Sequence, residues 1–129
     1  MTTATATTNA SIVRAAYAAF ASGDIPALIG LLTDDVAWHA PATLVHGGTF
    51  TGHDGAMTFF QGIAATWKSL GLDVEGVAEL SPTVVVGLVR ADGQRTDGTT
   101  DGYGAAHAFT IRNGKIAAFR EYVDVDSAM

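Results

Sequence analysis

The sequence predicts an α+β fold: three N-terminal helices packed on a strongly curved, mainly antiparallel β-sheet. Three observations predict it. Segments with helical spacing of apolar residues, bounded by capping residues and glycines, all fall before residue 71. From Leu72 onward the chain reads as strands divided by turn signals. The last of these signals, Asn113-Gly114, lies between two long apolar runs; both residues tolerate the positive φ of a tight hairpin turn. Helices set to one side of an antiparallel sheet make an α+β domain. Four to six curved strands wrapped around helices form a cone with an apolar interior.

Residues 1–8, Thr/Ala-rich, are expected to be a flexible tail, and 9–129 a single domain. Asn9 or Ser11 caps a first helix to about Ser22, with Ile12, Ala16, Ala19 and Phe20 at helical spacing. Gly23 ends it. Asp24 caps a second helix from Ile25 to Leu32, with Pro26 in its tolerant first turn. Thr33 to Asp35 reads as a turn and Val36 to His39 as a short strand stopped by Pro41. Residues 41–53 read as a Gly-rich loop of the kind that rims pockets. Asp54 caps a third helix to Leu70, with Met57, Phe60, Ile63, Ala64 and Trp67 as its buried stripe, and Gly71 ends it. Leu72 to Leu80 is a strand and Ser81-Pro82 a turn. Thr83 to Arg90, rich in β-branched residues, is a strand buried on both faces. Asp92-Gly93 is a turn, 94–100 a polar excursion closed by Asp101-Gly102, and 105–124 the final hairpin.

Composition narrows the function. Nearly half of the 129 residues are apolar, which supports a real core. No run approaches the roughly 20 apolar residues of a membrane span, and the N-terminus has no signal-peptide pattern. There is no cysteine, which excludes disulfides and thiolate chemistry and fits a cytoplasmic setting. The net charge is −6 with seven scattered Lys and Arg, so nucleic acid is not an expected partner.

One polar constellation stands out. His107 and Glu121 lie on the two strands of the final hairpin, among apolar neighbours. Strict alternation puts Ile116 and Phe119 on opposite faces, although both suit a core. A bulge near Ala117–Ala118 would reconcile them and turn Phe119, Glu121 and Val123 inward. Without it, Glu121 is a solvated residue on an edge strand. A carboxylate in an apolar cone loses solvation that favours its charged form, which suits a general base acting α to a carbonyl. His107, alternating with Phe109 and Ile111, is either a satisfied core residue, half of a buried ion pair, or the partner of that base. His39 reads as outward. His46, His53 and the acids offer no pair at metal-ligand spacing on one element, so no metal is expected. The Gly-rich loop has no Lys or Arg near it and is no phosphate cradle.

Three phrases, 15–41 (AAYAAFASGDIPALIGLLTDDVAWHAP), 48–60 (GTFTGHDGAMTFF) and 107–124 (HAFTIRNGKIAAFREYVD), resemble in order and spacing the nuclear-transport-factor-2-like superfamily. The closer resemblance is to its SnoaL-like and ketosteroid-isomerase-like branch. It implies a cone-shaped fold and cofactor-independent cyclase, isomerase or hydrolase chemistry, or non-catalytic binding of a small apolar molecule. In ketosteroid isomerases the base is an Asp before the Pro that ends the first strand; here that place is Ala40, so the isomerase base is missing. The oxyanion-hole Asp of that family, kept neutral by its apolar site, corresponds to His107. The oxyanion Tyr falls near Ala16, with Tyr17 turned about 100° away. SnoaL-type polyketide cyclases resemble the chain more closely: their base on the last strand matches Glu121 and their pocket His matches His107. Limonene-epoxide-hydrolase-like enzymes have a phrase similar to Phe119-Arg120-Glu121-Tyr122, but also need Arg-x-Asp on a central strand, which 83–89 lacks.

The resemblance thus implies Glu121 as base and His107 as partner or electrophile. Trp38, Phe20, Tyr17, Phe60, Phe119 and Val123 would line the ligand pocket. Asp124 and Asp126, after the last strand, read as solvated. The family commonly dimerises through its sheet, which implies a homodimer over outward residues such as Val85, Val89, Ala106 and Ala108.

Overall fold

The computed structural model describes residues 8–41, 44 and 47–123. Helix α1 spans Asn9–Ser22 and α2 Ile25–Ile29. Strands β1 (Leu32–Ala40) and β2 (Gly48–Thr51) follow, then α3 (Gly52–Thr66). Strands β3 (Trp67–Glu79), β4 (Val84–Arg95), β5 (Thr100–Arg112) and β6 (Lys115–Val123) complete the chain. They form one six-stranded sheet in the order β2-β1-β6-β5-β4-β3. Every pair is antiparallel except β1 with β6. The α+β class therefore holds, but only two helices precede the sheet; α3 is inserted between β2 and β3. No helix among the described residues is long and apolar enough to cross a membrane.

The core lies between the helices and the concave face of the sheet. Ile12, Val13, Ala16 and Ala19 of α1, and Ala56, Phe59 and Phe60 of α3, are buried against Val36, Trp38, Phe109, Ile116 and Phe119. Glycine at 23 closes α1 in the left-handed conformation (φ 74°). The cap that opens α1 is Thr8, not Asn9 or Ser11: its hydroxyl accepts from Ser11 N at 3.1 Å. Asp24 caps α2 as expected, through Ala27 N at 3.2 Å.

Several boundaries differ from the sequence reading, each because a strand neighbour outweighs a local signal. Helix α2 stops at Ile29 and 33–35 is strand, not turn. Strand β6 holds this segment, with Ile116 N donating to Leu31 O at 2.8 Å and Leu32 fully buried opposite Ile116. Part of the Gly-rich segment is β2, where Phe50 pairs with Trp38. Helix α3 ends at Thr66, because Trp67 to Leu70 pair with β4 as the start of β3. Trp67 is buried, with the Arg95 guanidinium 5.3 Å from its ring centre. The buried face of α3 is consequently Ala56, Phe59 and Phe60; Met57 and Ile63 are half-buried and Ala64 is exposed. Asp92-Gly93 and Asp101-Gly102 pair with one another inside the β4–β5 ladder. The turn between those strands falls at 96–98, where Gly98 has φ 93° and Asp97 accepts from Thr99.

Strand β4 is not buried on both faces. It alternates, with Val85, Val89 and Ala91 buried and Leu88 exposed. Val85 and Val89 therefore face the core, not a partner. Ala106 and Ala108 do lie on the convex face and are half-buried. The final hairpin is as expected, with Asn113 (φ 53°) and Gly114 (φ 78°) at its turn. So is its bulge: Thr110 pairs with Ala118 and Ile111 with Ile116, leaving Ala117 unpaired. Asp124, Asp126 and His46 lie outside the described residues.

Candidate functional site

The bulge turns Phe119 and Glu121 to the concave face together with Ile116, and all three are buried. On β5, alternation places His107 on the same face, directly opposite Glu121. Their side chains meet: His107 Nε2 is 3.0 Å from Glu121 Oε2, with both residues at least nine-tenths buried (4% and 6% exposed). The other ring nitrogen, Nδ1, is 2.9 Å from the Tyr17 hydroxyl. A three-member chain, Tyr17–His107–Glu121, thus spans from α1 to the last strand, with Tyr17 half-buried and the other two buried. Buried polar groups are costly unless paired, and here each finds its partner in the next.

Aromatic rings surround this chain. Trp38 and Phe119, partners across β1 and β6, stack with centroids 4.0 Å apart and planes 16° apart. Phe119 in turn touches His107 (4.9 Å) and Phe109 (5.2 Å). Phe59 and Phe60 of α3 close the other side of Trp38, each 5.6 Å away. These groups line a half-open cavity of about 60 Å³. Tyr17, Phe20, Trp38, Phe60, Phe119, His107 and Glu121 all line it, as expected. Val123 does not; it pairs with Ala105, two positions beyond the His107–Glu121 pair, and is half-buried. Ala16 and Tyr17 both reach the cavity, although the helical turn between them suggested that Tyr17 faces elsewhere.

Sequence reasoning missed Tyr103, Phe59 and Phe109 as lining residues. Tyr103 was legible by parity: 103, 105, 107 and 109 alternate onto one face of β5. It falls between the Asp101-Gly102 turn signal and the hairpin read from Ala105, in neither element. The buried Trp38 Nε1 has no hydrogen-bond partner among the described residues. Ala40, at the isomerase base position, offers no carboxylate.

Burial is the larger cause that holds the Tyr17 and Tyr103 phenols protonated well above their ordinary value of 10.0, and the negative charge of Glu121 adds to it. Above about pH 10 the unfolded chain loses these protons while the folded chain keeps them. The stabilisation is fully present below the unfolded value and is lost as pH rises toward the folded values. Denaturation midpoints should therefore fall between about pH 9 and about pH 11, and fall less in Tyr17→Phe and Tyr103→Phe. Equal slopes in all three proteins would contradict this.

His39 and His53 stay out of the site. His39 Nδ1 bonds Thr49 Oγ1 at 2.9 Å and His53 Nε2 bonds Leu32 O at 3.0 Å. Among the described residues no group of three or more His, Asp or Glu is placed to hold a metal. Strand β4 does contain an Arg-x-Asp, Arg90-Ala91-Asp92, because it extends past Val89. Alternation puts Arg90 and Asp92 on the convex face, away from Glu121, while Val89 and Ala91 are buried on the concave one. The epoxide-hydrolase arrangement is not assembled.

The sequence profile of the SnoaL-like domain matches residues 13–119. The chain belongs to the SnoaL-like family. This SnoaL-like chain is similar to a nuclear-transport-factor-2-like protein of unknown function from Burkholderia pseudomallei, at 25% identity over 95% of each chain with a TM-score of 0.84. It shares the fold of a putative polyketide cyclase from Pseudomonas putida (22% identity, 94% of this chain and 95% of that one, TM-score 0.75). It also shares the fold of a ketosteroid-isomerase-like protein from Catenulispora acidiphila, solved in complex with trimethylamine (20% identity, 94% and 90%, TM-score 0.79). No curated protein matches the chain.

Proposed function

We propose that this SnoaL-like protein is a cofactor-independent enzyme of the cyclase, isomerase or hydrolase kind, with Glu121 as general base on a small apolar carbonyl compound. The observation that carries the reading is the Tyr17–His107–Glu121 chain in the wall of a largely apolar cavity. Glu121 takes a proton from the carbon α to the carbonyl, and the electron pair moves onto the carbonyl oxygen as an enolate. That oxygen needs a donor at hand in a water-poor site. Tyr103, whose side chain lines the cavity, is the candidate donor. Both ring nitrogens of His107 are engaged, which favours its role as partner of the carboxylate over that of electrophile.

The cavity limits the substrate. At about 60 Å³ it is smaller than the engineered cavity of roughly 150 Å³ that admits benzene. The ligand is therefore a compound of a few heavy atoms, or the half-buried rim of Phe20, Ile63, Leu70 and Leu72 moves to admit more.

A second reading, a binder without catalysis, is favoured by the same lining. Aromatic faces around one carboxylate suit a small ammonium ion through cation–π attraction, and the Catenulispora neighbour was solved with trimethylamine. Ligand binding and turnover measured together on wild type and Glu121→Gln separate the two. The enzyme reading expects Glu121→Gln to bind carbonyl compounds and not turn them over. Turnover by neither protein, with ammonium binding lost in Glu121→Gln, selects the binder.

Partnership follows from the other face of the sheet. Leu88, Ala106 and Tyr122 lie in register across its convex side, with Leu88 46% and Tyr122 53% exposed. This apolar row supports an isologous homodimer. Light scattering should give twice the 13.3 kDa chain mass, falling to the monomer in Leu88→Glu/Tyr122→Glu. A monomeric wild type would refute it.

A further inference from the structure

Gly87 stands in the middle of β4, directly opposite His107 on the neighbouring strand. Glycine weakens a strand interior and normally marks a bulge, a positive φ or a close approach. The first two do not apply. The β4–β5 register runs without a break from Val84 to Gln94, and Gly87 is not among the glycines with positive φ. The third does. A β-carbon at 87 would fall inside van der Waals contact of the Tyr17 hydroxyl, 3.0 Å from its Cζ and 3.1 Å from its Cε2. Its neighbours Val85 and Val89, on the same concave face, have side chains packed in the core.

We propose that Gly87 is a positioning residue of the site: its missing side chain makes the space in which the Tyr17 hydroxyl reaches His107 Nδ1. The inference rests on the proton-transfer reading only for its functional weight; the geometry stands without it. The Tyr17 ring lies between α1 and the sheet, 5.8 Å from the His107 ring and edge-on to Phe109 at 5.7 Å. A methyl at 87 would push that ring away from the sheet and break the 2.9 Å bond.

The consequence is chemical. A phenol that keeps its proton in a buried setting must donate it, and His107 Nδ1 is the acceptor within reach. His107 then carries its own proton on Nε2 and donates it to Glu121 Oε2 at 3.0 Å. Tyr17 thereby selects the tautomer that supports Glu121, and Gly87 lets Tyr17 do so. A side chain at 87 would leave Nδ1 without its donor, and the ring free to exchange tautomers or turn.

The test reads the His107 ring nitrogens by ¹⁵N NMR in wild type, Gly87→Ala, Tyr17→Phe and Gly87→Ala/Tyr17→Phe, with no substrate present. Wild type should show an unprotonated, hydrogen-bonded Nδ1 and a protonated Nε2. Gly87→Ala should shift Nδ1 in the same direction as Tyr17→Phe, and the double variant should show no further shift. Unchanged His107 signals in Gly87→Ala would overturn the proposal, whatever Tyr17→Phe does. If Gly87→Ala does not fold, the double variant Gly87→Ala/Tyr17→Ala decides, read against Tyr17→Ala alone, because it removes both the hydroxyl and the ring carbons that the methyl meets. Recovery of a folded double variant supports the proposal, and its failure where Tyr17→Ala folds shows that Gly87 serves something other than Tyr17. Because the signals need no turnover, a wrong assignment of the enzyme leaves this result readable.

Discussion

Glu121→Gln is expected to lower the rate of α-proton removal by about 10²- to 10⁴-fold, the usual contribution of a positioned general base. Glutamine keeps the shape of the side chain and an oxygen that accepts from His107 Nε2, so the cavity wall and the Tyr17–His107 bond remain. What is lost is the capacity to take a proton. Affinity for a neutral carbonyl compound should change little. Glu121→Ala is a poorer experiment, because it leaves a buried His107 N–H unpaired at a cost of about 1–3 kcal/mol. Purified Glu121→Gln with unaltered turnover would remove the base from the mechanism.

Trp38→Ala is expected to destabilise the fold by about 3–5 kcal/mol, the range for removing a large aromatic side chain from a core. Trp38 is 5% exposed and packs on Phe59, Phe60 and Phe119 at once. It joins β1 to β6 at the parallel pair, the seam through which β2 attaches to the rest of the sheet. Trp38→Phe should cost much less, because it keeps the stack on Phe119 and removes an N–H that has no partner among the described residues. Urea denaturation at constant m-value measures both. A loss under about 1 kcal/mol for Trp38→Ala would show that the aromatic cluster is not the core it appears in geometry to be.

How much the sequence conveyed depended on whether local signals were the deciding ones. At Asn113-Gly114 they were: the turn needs two positive φ angles, and few other residue pairs supply them. The bulge at Ala117 was one of two alternatives legible in the residues, because Ile116 and Phe119 cannot both be buried by strict alternation, and the family resemblance favoured it. That one inference placed Glu121 opposite His107. The failures came where a partner strand overruled a local preference. Asp92-Gly93 and Asp101-Gly102 look like turns but pair with each other, each completing the other's ladder. Trp67 fits a helical stripe but lies under Arg95 on β3. Strand β4 looked buried throughout because Val84 and Val86 are β-branched on its outer face as well. Tyr17 was legible as a pocket residue but not as the partner of His107. That contact depends on a glycine in a distant strand, and spacing within α1 carries no trace of it.

The central claim is that Glu121 removes a proton from a ligand held in the aromatic cavity. The most direct measurement is deuterium incorporation, in D₂O, at the α-carbon of small ketones and aldehydes, followed by NMR with wild type and Glu121→Gln at equal occupancy. The account predicts exchange above background in wild type and its loss in the variant, with binding retained. Exchange at the same rate in both proteins, or bound compounds that never exchange in either, would contradict it.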